Sequence, residues 1–402
     1  ENSVTSLIPT TYLQNHKNTT LVLDNESASE LTRFKTPWLV STCDWIDSMK
    51  RRAIVWLCET TGKSILKLTD EDYNKNGLSD LLALEGSSYD LNIKMFNHFQ
   101  NTITGWPGGK PGADDSTRPE RKSPNSKRVI IFSPHPDDDV VSMGGTFDRL
   151  VSQGHEVHIA YQVKGNIAVS DHDALKFIEV SKDMFKNDSK VPVGQLIKEL
   201  VNNKPDKIDS QAVRDLKGFI RKREAIAATR YIGIPDSNTH FMNLPFYDTG
   251  RIKKNPPTTK DVLITASLIK KIKPHQIFAA GDLEDPHGTH KVCLDVILDA
   301  LDTLKGEKFI KDCWLWLYRG AWLDWDVHDI DMAVPMSPAQ VLRKRKAIFF
   351  HQTQKDGVMF QGQDLREFWV RAEERNSETA EKYKKMGLAD YAAIESFKRH
   401  YY

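Results

Sequence analysis

Residues 128–141 read "RVIIFSPHPDDDVV", a short apolar run that leads straight into three adjacent carboxylates. Four apolar residues after Arg128, with no polar alternation, have the pattern of a strand buried on both faces. Apolar residues then recur at helical spacing from about Val140 to Gln153, and "SQGH" (152–155) supplies a stop. "HEVHIAYQV" (155–163) reads as a second strand. Strand, helix and strand at this spacing form a βαβ crossover, which implies a parallel sheet.

The downstream chain keeps this rhythm. "HQIFAAGD" (275–282) is a strand feeding the helix "HKVCLDVILDALDTL" (290–304), and "KGFIRKREAIAATRYIGI" (217–234) has the spacing of an amphipathic helix lying on a sheet. "CWLWLYRG" (313–320) reads as a Trp-rich strand, and in "SPAQVLRKRKAIFFHQ" (337–352) Ser337 and Pro338 stand where an N-cap and first helical residue belong. Helices are expected to finish the chain. The fold class is α/β: an open, mostly parallel Rossmann-like sheet with helices on both faces, plus a small, mainly helical N-terminal segment.

At 402 residues the chain exceeds what one core usually supports, so subdivision is expected. "TTLVLD" (19–24) reads as a short buried strand, with Asn25 or Ser27 as N-cap of a following helix. Residues 41–104 are expected to be helical, beginning with "CDWIDSMKRRAIVWLCETTG" (43–62) and its stop at Gly62. Residues 105–127 carry four glycines and four prolines without apolar periodicity, the composition of a linker or long exposed loop. Its six basic residues, counting Arg128, could contact a phosphate, although a solvated tether is the plainer reading. The expected division is 1–40, 41–104, 105–127 and 128–402.

With 56 basic against 55 acidic residues, the formal net charge of +1 argues against a nucleic-acid or acidic-membrane surface. Cys43, Cys58, Cys293 and Cys313 lie far apart with no CxxC pair, so neither a disulfide framework nor a thiolate zinc knuckle is expected. A reducing cytoplasm fits this usage. No stretch reaches the ~18 apolar residues of a membrane span, and the first residues lack the order of a signal peptide. The expected partner is a small molecule; the sequence leaves a homo-oligomer open.

In a parallel sheet, ligands bind beyond the carboxyl ends of the strands. Two polar clusters fall there: "PHPDDD" (134–139) after the first strand and "DLEDPHGTH" (282–290) after the strand at 275–282. His135, Asp138 and a histidine of the second cluster would supply N, O and N ligands, leaving one position for water, as in a catalytic zinc site. Three adjacent carboxylates repel one another, and a divalent cation removes that difficulty. In this reading Asp138 reaches the metal, Asp137 faces the water, and Asp139 serves the start of the next helix.

These motifs resemble the LmbE-like, or PIG-L-type, family of zinc-dependent de-N-acetylases over residues 128–355. The resemblance implies that His135 and Asp138 are metal ligands and Asp137 the general base. The family's second motif falls on His287 and His290, which implies that His290 binds zinc, or another divalent metal. His287 would stabilise the tetrahedral intermediate or protonate the amine. "RKREAIAATRYIGI" (221–234) resembles the family's Arg-x-x-Glu helix, placing Arg221 near the sugar with Glu224 in support. Asp248 in "LPFYDTG" falls where the family has a substrate-contacting acid, and His351 and Gln354 in "KAIFFHQTQ" would line or brace the pocket. Thr289 departs from the Asp common just before the second ligand.

Residues 1–40 are similar to the final strand and helix of glucosamine-6-phosphate deaminases, so the chain reads as the C-terminal part of a deaminase–deacetylase fusion. The implied activity is deacetylation of an N-acetylglucosamine-type substrate, with N-acetylglucosamine 6-phosphate one candidate. Lys164, Arg221 and Arg223 are candidate phosphate contacts. Two other readings stand beside it: a regulatory appendage of a deaminase/isomerase, and a metal-dependent sugar-binding module.

Overall fold

A computed structural model of the protein describes residues 3–24, 27–184, 193–203, 208–251, 253–283, 285, 288–320, 322–355 and 366–402. Residues 41–104 fold into helices α2 (Asp47–Thr61), α3 (Asp70–Lys75), α4 (Ser79–Glu85) and α5 (Ser88–Thr102), after a single turn, α1 (Thr32–Lys35). Gly62, with φ +66°, ends α2 in the left-handed conformation that favours glycine. The α/β region then runs β1 (Arg128–Ser133), α6 (Asp138–Ser152), β2 (Glu156–Tyr161), α7 (Asp171–Met184), α8 (Val193–Val201), α9 (Gln211–Ile232), β3 (Thr239–Phe241), α10 (Thr259–Ile272) and β4 (Gln276–Ala280). It closes with α11 (Thr289–Thr303), β5 (Trp314–Tyr318), β6 (Met332–Met336), α12 (Pro338–Ile348), α13 (Phe368–Lys385) and β7 (Ala393–His400).

The strands form one sheet in the order β3-β2-β1-β4-β5-β7-β6. The first five are mutually parallel, and β7 runs antiparallel to both β5 and β6. After β1 the chain moves outward through β2 and β3, then returns to lay β4 on the other side of β1, with Ile131 opposite Phe278. The loops leaving β1 and β4 therefore part at their carboxyl ends, which opens a crevice between adjacent strands.

Alternation along the central strands splits the core between two faces. Ile130, Phe132, Ile277 and Ala279 join α10 and α11, and Ile54, Leu57, Leu91 and Phe99 of the N-terminal helices pack into the same cluster. Val129, Ile131, Phe278 and Trp316 point the other way, toward Val140 and Phe147 of α6 and Ala225 of α9. The helical segment thus shares a core with the sheet. Among the described residues, no helix is long and apolar enough to cross a membrane.

Four expectations need correction. Residues 19–24 form no strand: Leu21 and Val22 are 69% and 92% exposed, with no neighbouring strand to satisfy them. No helix starts at Ser27, and Asn25 lies outside the described residues; the turn α1 begins at Thr32 without a side-chain cap. Residues 105–127 are not a free tether. Pro107 accepts a hydrogen bond from Gln276 Nε2 at 3.0 Å, the Arg121 guanidinium stacks on Trp314, and Lys127 is buried, so the segment straps the amino ends of the strands. Its cations sit at the end of the sheet remote from the crevice. Lastly, the chain closes on a strand, β7, whose Glu395 is buried and ion-paired with buried Lys344 at 2.8 Å.

Candidate metal centre and active site

β1 ends at Ser133, which organises the turn that follows. Its hydroxyl donates to the His135 carbonyl at 2.6 Å and accepts the Asp139 backbone N–H at 3.1 Å. Asp138, the first residue of α6, folds back so that Oδ2 accepts the backbone N–H of His135 at 2.8 Å. The same oxygen lies 3.1 Å from His135 Nδ1 and 3.2 Å from His290 Nε2. His290 stands in the first turn of α11, and its Nδ1–H donates to the Asp282 carbonyl at 2.8 Å. That bond fixes the ring so that Nε2 faces Asp138. The two histidine rings are 5.3 Å apart, and one ligand atom from each of His135, Asp138 and His290 lies within 4.8 Å of the others.

This donor set fits a divalent cation: two imidazole nitrogens and one carboxylate oxygen converge from two strand ends. The charge balance agrees. Burial favours neutral His290, yet Asp138, Asp285 and Asp282 outweigh it and raise its pKa to about 10. Acid groups here outnumber their cationic partners, and a bound cation would restore the balance.

The other two aspartates do different work. Asp137 Oδ1 pairs with Arg221 Nη2 at 2.8 Å, and Arg221 is itself only 1% exposed. Burial pushes the Asp137 carboxyl up to about 6, with Arg221 opposing and Asp138 adding to the rise. Asp139 is fully buried and accepts from Tyr161 Oη at 3.0 Å and Ser133 Oγ at 3.3 Å; burial raises its pKa to about 7. It lies inside the first turn of α6, where its carboxylate accepts the Val140 backbone N–H, so it serves the start of the helix while also bonding back to β1 and β2.

The remaining expected site residues are distributed unevenly. Arg221 lies behind Asp137. Glu224 receives Thr353 N–H and Oγ1–H, both at 2.8 Å, and so pins the 351–354 segment to α9. Gln354 Nε2 donates to the Ala168 carbonyl at 3.0 Å, bracing the loop after β2. His351 is fully buried beside Arg221 and Asp138, and neither ring nitrogen has a hydrogen-bond partner among the described residues; burial pushes its pKa down to about 3. Asp248 is partly exposed at the rim, shared between Lys164 at 3.6 Å and Arg214 at 3.7 Å. Lys164 also bonds Asp215 at 3.0 Å, and Arg223 is exposed. His287 lies outside the described residues.

Sequence reasoning missed three contributors. Asp285 accepts the backbone N–H groups of Thr289 at 2.6 Å and His290 at 3.2 Å, anchoring the start of α11; an acid four residues before a helix start was its available signal. The Asp282 carbonyl orients His290, a backbone role with no signature in residue type. Tyr247, only 5% exposed, stands edge-on to His135 with ring centres 6.2 Å apart.

Residues 130–301 match the PIG-L family model, described as GlcNAc-PI de-N-acetylase. The matched stretch runs from β1 to α11 of the α/β region. That family comprises hydrolytic N-deacetylases, and the match takes in His135, Asp138 and His290 together. A Bacteroides thetaiotaomicron protein named as glucosamine-6-phosphate deaminase-like is 52% identical over 406 residues, covering 99% of this chain. The chain spans 61% of that relative's length. Among solved structures, the N,N'-diacetylchitobiose deacetylase of Pyrococcus horikoshii is 17% identical with a TM-score of 0.43, covering 69% of this chain and 84% of its own. The 4-carboxy-2-hydroxymuconate hydratase GalB of Pseudomonas putida is 14% identical with a TM-score of 0.42, covering 69% and 97%.

Proposed function

We propose that the PIG-L-type domain hydrolyses the N-acetyl group of an N-acetylglucosamine-type substrate in a zinc-dependent reaction, releasing acetate and an amino sugar. The observation that carries this reading is the meeting of His135, Asp138 and His290 around one point. A divalent ion held by these three supplies Lewis-acid polarisation and lowers the pKa of water. The protein's own groups do the rest. Arg221 fixes one oxygen of Asp137, and Oδ2 has no hydrogen bond to another described residue. That oxygen is the base in this reading: it takes the proton of the attacking water as the water oxygen bonds to the acetyl carbon. The proton passes to the nitrogen as the C–N bond breaks. His351 lines the buried side of the site as a neutral imidazole, Asp248 sits at its rim, and His287 keeps the role implied by the resemblance, stabilising the tetrahedral intermediate or protonating the amine.

We also infer that residues 1–40 are a deaminase-like tail. The name of the Bacteroides relative supports this, as does the exposure of Leu21 and Val22, which suits an element that packs against another body.

The test is acetate release from N-acetylated amino sugars by zinc-loaded protein, before and after chelation. Release that stops with chelation and returns with zinc is expected. Amino-sugar binding with no acetate from any of them would replace the hydrolase with a binding module.

A further inference from the structure

The rim of the crevice is rich in cations, and most are already matched by acids. Arg221 pairs with Asp137 at 2.8 Å, Lys217 bonds both Asp171 and Asp209 at 2.7 Å, and Lys164 and Arg214 divide Asp215 and Asp248 between them. Charges neutralised in this way have little left for a ligand. Lys254 differs. Its ammonium lies 3.8 Å from the centre of the Tyr247 ring, and its hydrogen bond runs to the Arg251 carbonyl at 2.7 Å, with no carboxylate within ion-pair distance among the described residues.

The loop is built to hold it there. Thr249 Oγ1 donates to the carbonyls of Arg251 and Lys253 at 3.1 and 3.0 Å, and Asn255 N–H donates to the Phe246 carbonyl at 3.1 Å. Gly250, at φ +68°, makes the bend, and an added Cβ would lie 2.5 Å from Arg214 Nη1. Tyr247 is the ring that stands 6.2 Å from His135. The ammonium is thus no farther from the His135 ring than the sum of these two contacts, 3.8 and 6.2 Å, which is within reach of a whole N-acetylated sugar together with an acidic substituent. Burial pushes the Lys254 pKa down to about 8 even with Asp248 nearby, so its charge is incompletely hydrated. A half-desolvated cation without an ion-pair partner gains more from an incoming anion than a solvated one does.

We propose that Lys254 is a specificity-determining residue that receives an anionic group of the substrate, a phosphate monoester or a carboxylate, so that the site prefers an acidic N-acetyl amino sugar to a neutral one. This rests on the deacetylase reading and names the substrate class within it. The neutral acetamide goes to the metal centre while the acidic group on the same sugar reaches the Lys254 loop.

The test compares kcat/KM for acetate release from N-acetylglucosamine 6-phosphate, N-acetylmuramic acid and neutral N-acetylglucosamine, in wild type, Lys254→Ala and Lys254→Arg. The wild type should prefer one of the two acids, and which one identifies the group as phosphate or carboxylate. In Lys254→Ala that preference should fall by roughly ten- to a hundredfold, carried by KM, and Lys254→Arg should retain most of it. Equal turnover of acidic and neutral sugars by wild type, or a preference untouched in Lys254→Ala, overturns the proposal while leaving the deacetylase standing. Acetate from none of the three, with glucosamine 6-phosphate binding by calorimetry also unaffected in Lys254→Ala, overturns both.

Discussion

The two ends of one sheet carry the same residue types in opposite company. At the amino ends, His155 Nδ1 accepts the Lys127 backbone N–H at 3.1 Å and His275 Nδ1 accepts that of Arg128 at 2.9 Å. Burial and nearby cations push both histidines down, His155 to about 4. At the carboxyl ends, His135 and His290 face a shared carboxylate oxygen, and acids surround them. A histidine whose lone pair is spent on a backbone donor among cations is a structural acceptor. One whose ring nitrogen meets a second imidazole across a shared carboxylate is a candidate ligand. Thirteen histidines in the sequence cannot be sorted by type, but they can be sorted by what they face.

Substitutions should divide the same way. The largest effect is expected at the carboxyl end: Asp137→Asn should lower kcat for acetate release by about 10²–10⁴ while the bound metal stays. Loss of metal along with activity would make Asp137 part of the ligand set. Next, Arg221→Ala strands a buried carboxylate and should cost on the order of 3–5 kcal/mol in urea unfolding; an unchanged midpoint would mean that the pair contributes nothing. Asp285→Ala should weaken metal affinity by about tenfold through the loosened start of α11, and unaltered affinity would assign Asp285 to helix stability alone.

The smallest effect belongs to the amino end. Folded His155 stays neutral down to about pH 4, whereas the unfolded chain binds that proton below about 6.5. The unfolded state therefore holds more protons in that window, and stability falls as pH drops through it, by on the order of 1 kcal/mol per unit. His155→Gln should flatten that part of the urea-derived stability profile without changing acetate release at pH 7. An unaltered profile would break the contrast drawn between the two ends.

Much of the carboxyl end was legible because the chemistry is written locally. The β1 and β4 runs are uninterrupted apolar segments, and each leads directly into its polar cluster and helix. β7 was hidden by its own chemistry: Glu395, Lys398 and Arg399 break the apolar pattern, and Glu395 is tolerated inside because Lys344 and the backbone N–H groups of Gly145 and Thr146 meet it. β3, three half-buried residues long, has no periodicity to detect. The strap at 105–127 looks like a tether in composition because its anchors are tertiary, through Gln276, Trp314 and His155. The 19–24 run shows the converse. Apolar spacing records which residues favour burial, and Leu21 and Val22 find nothing among the described residues to bury them.

The central claim is that His135, Asp138 and His290 together grip a single divalent ion. Zinc titration of metal-free protein by calorimetry, on wild type and His290→Ala, tests it most directly. One ion per chain in the wild type and no measurable binding in the variant is the expected result. Equal stoichiometry and affinity in the two proteins would contradict it.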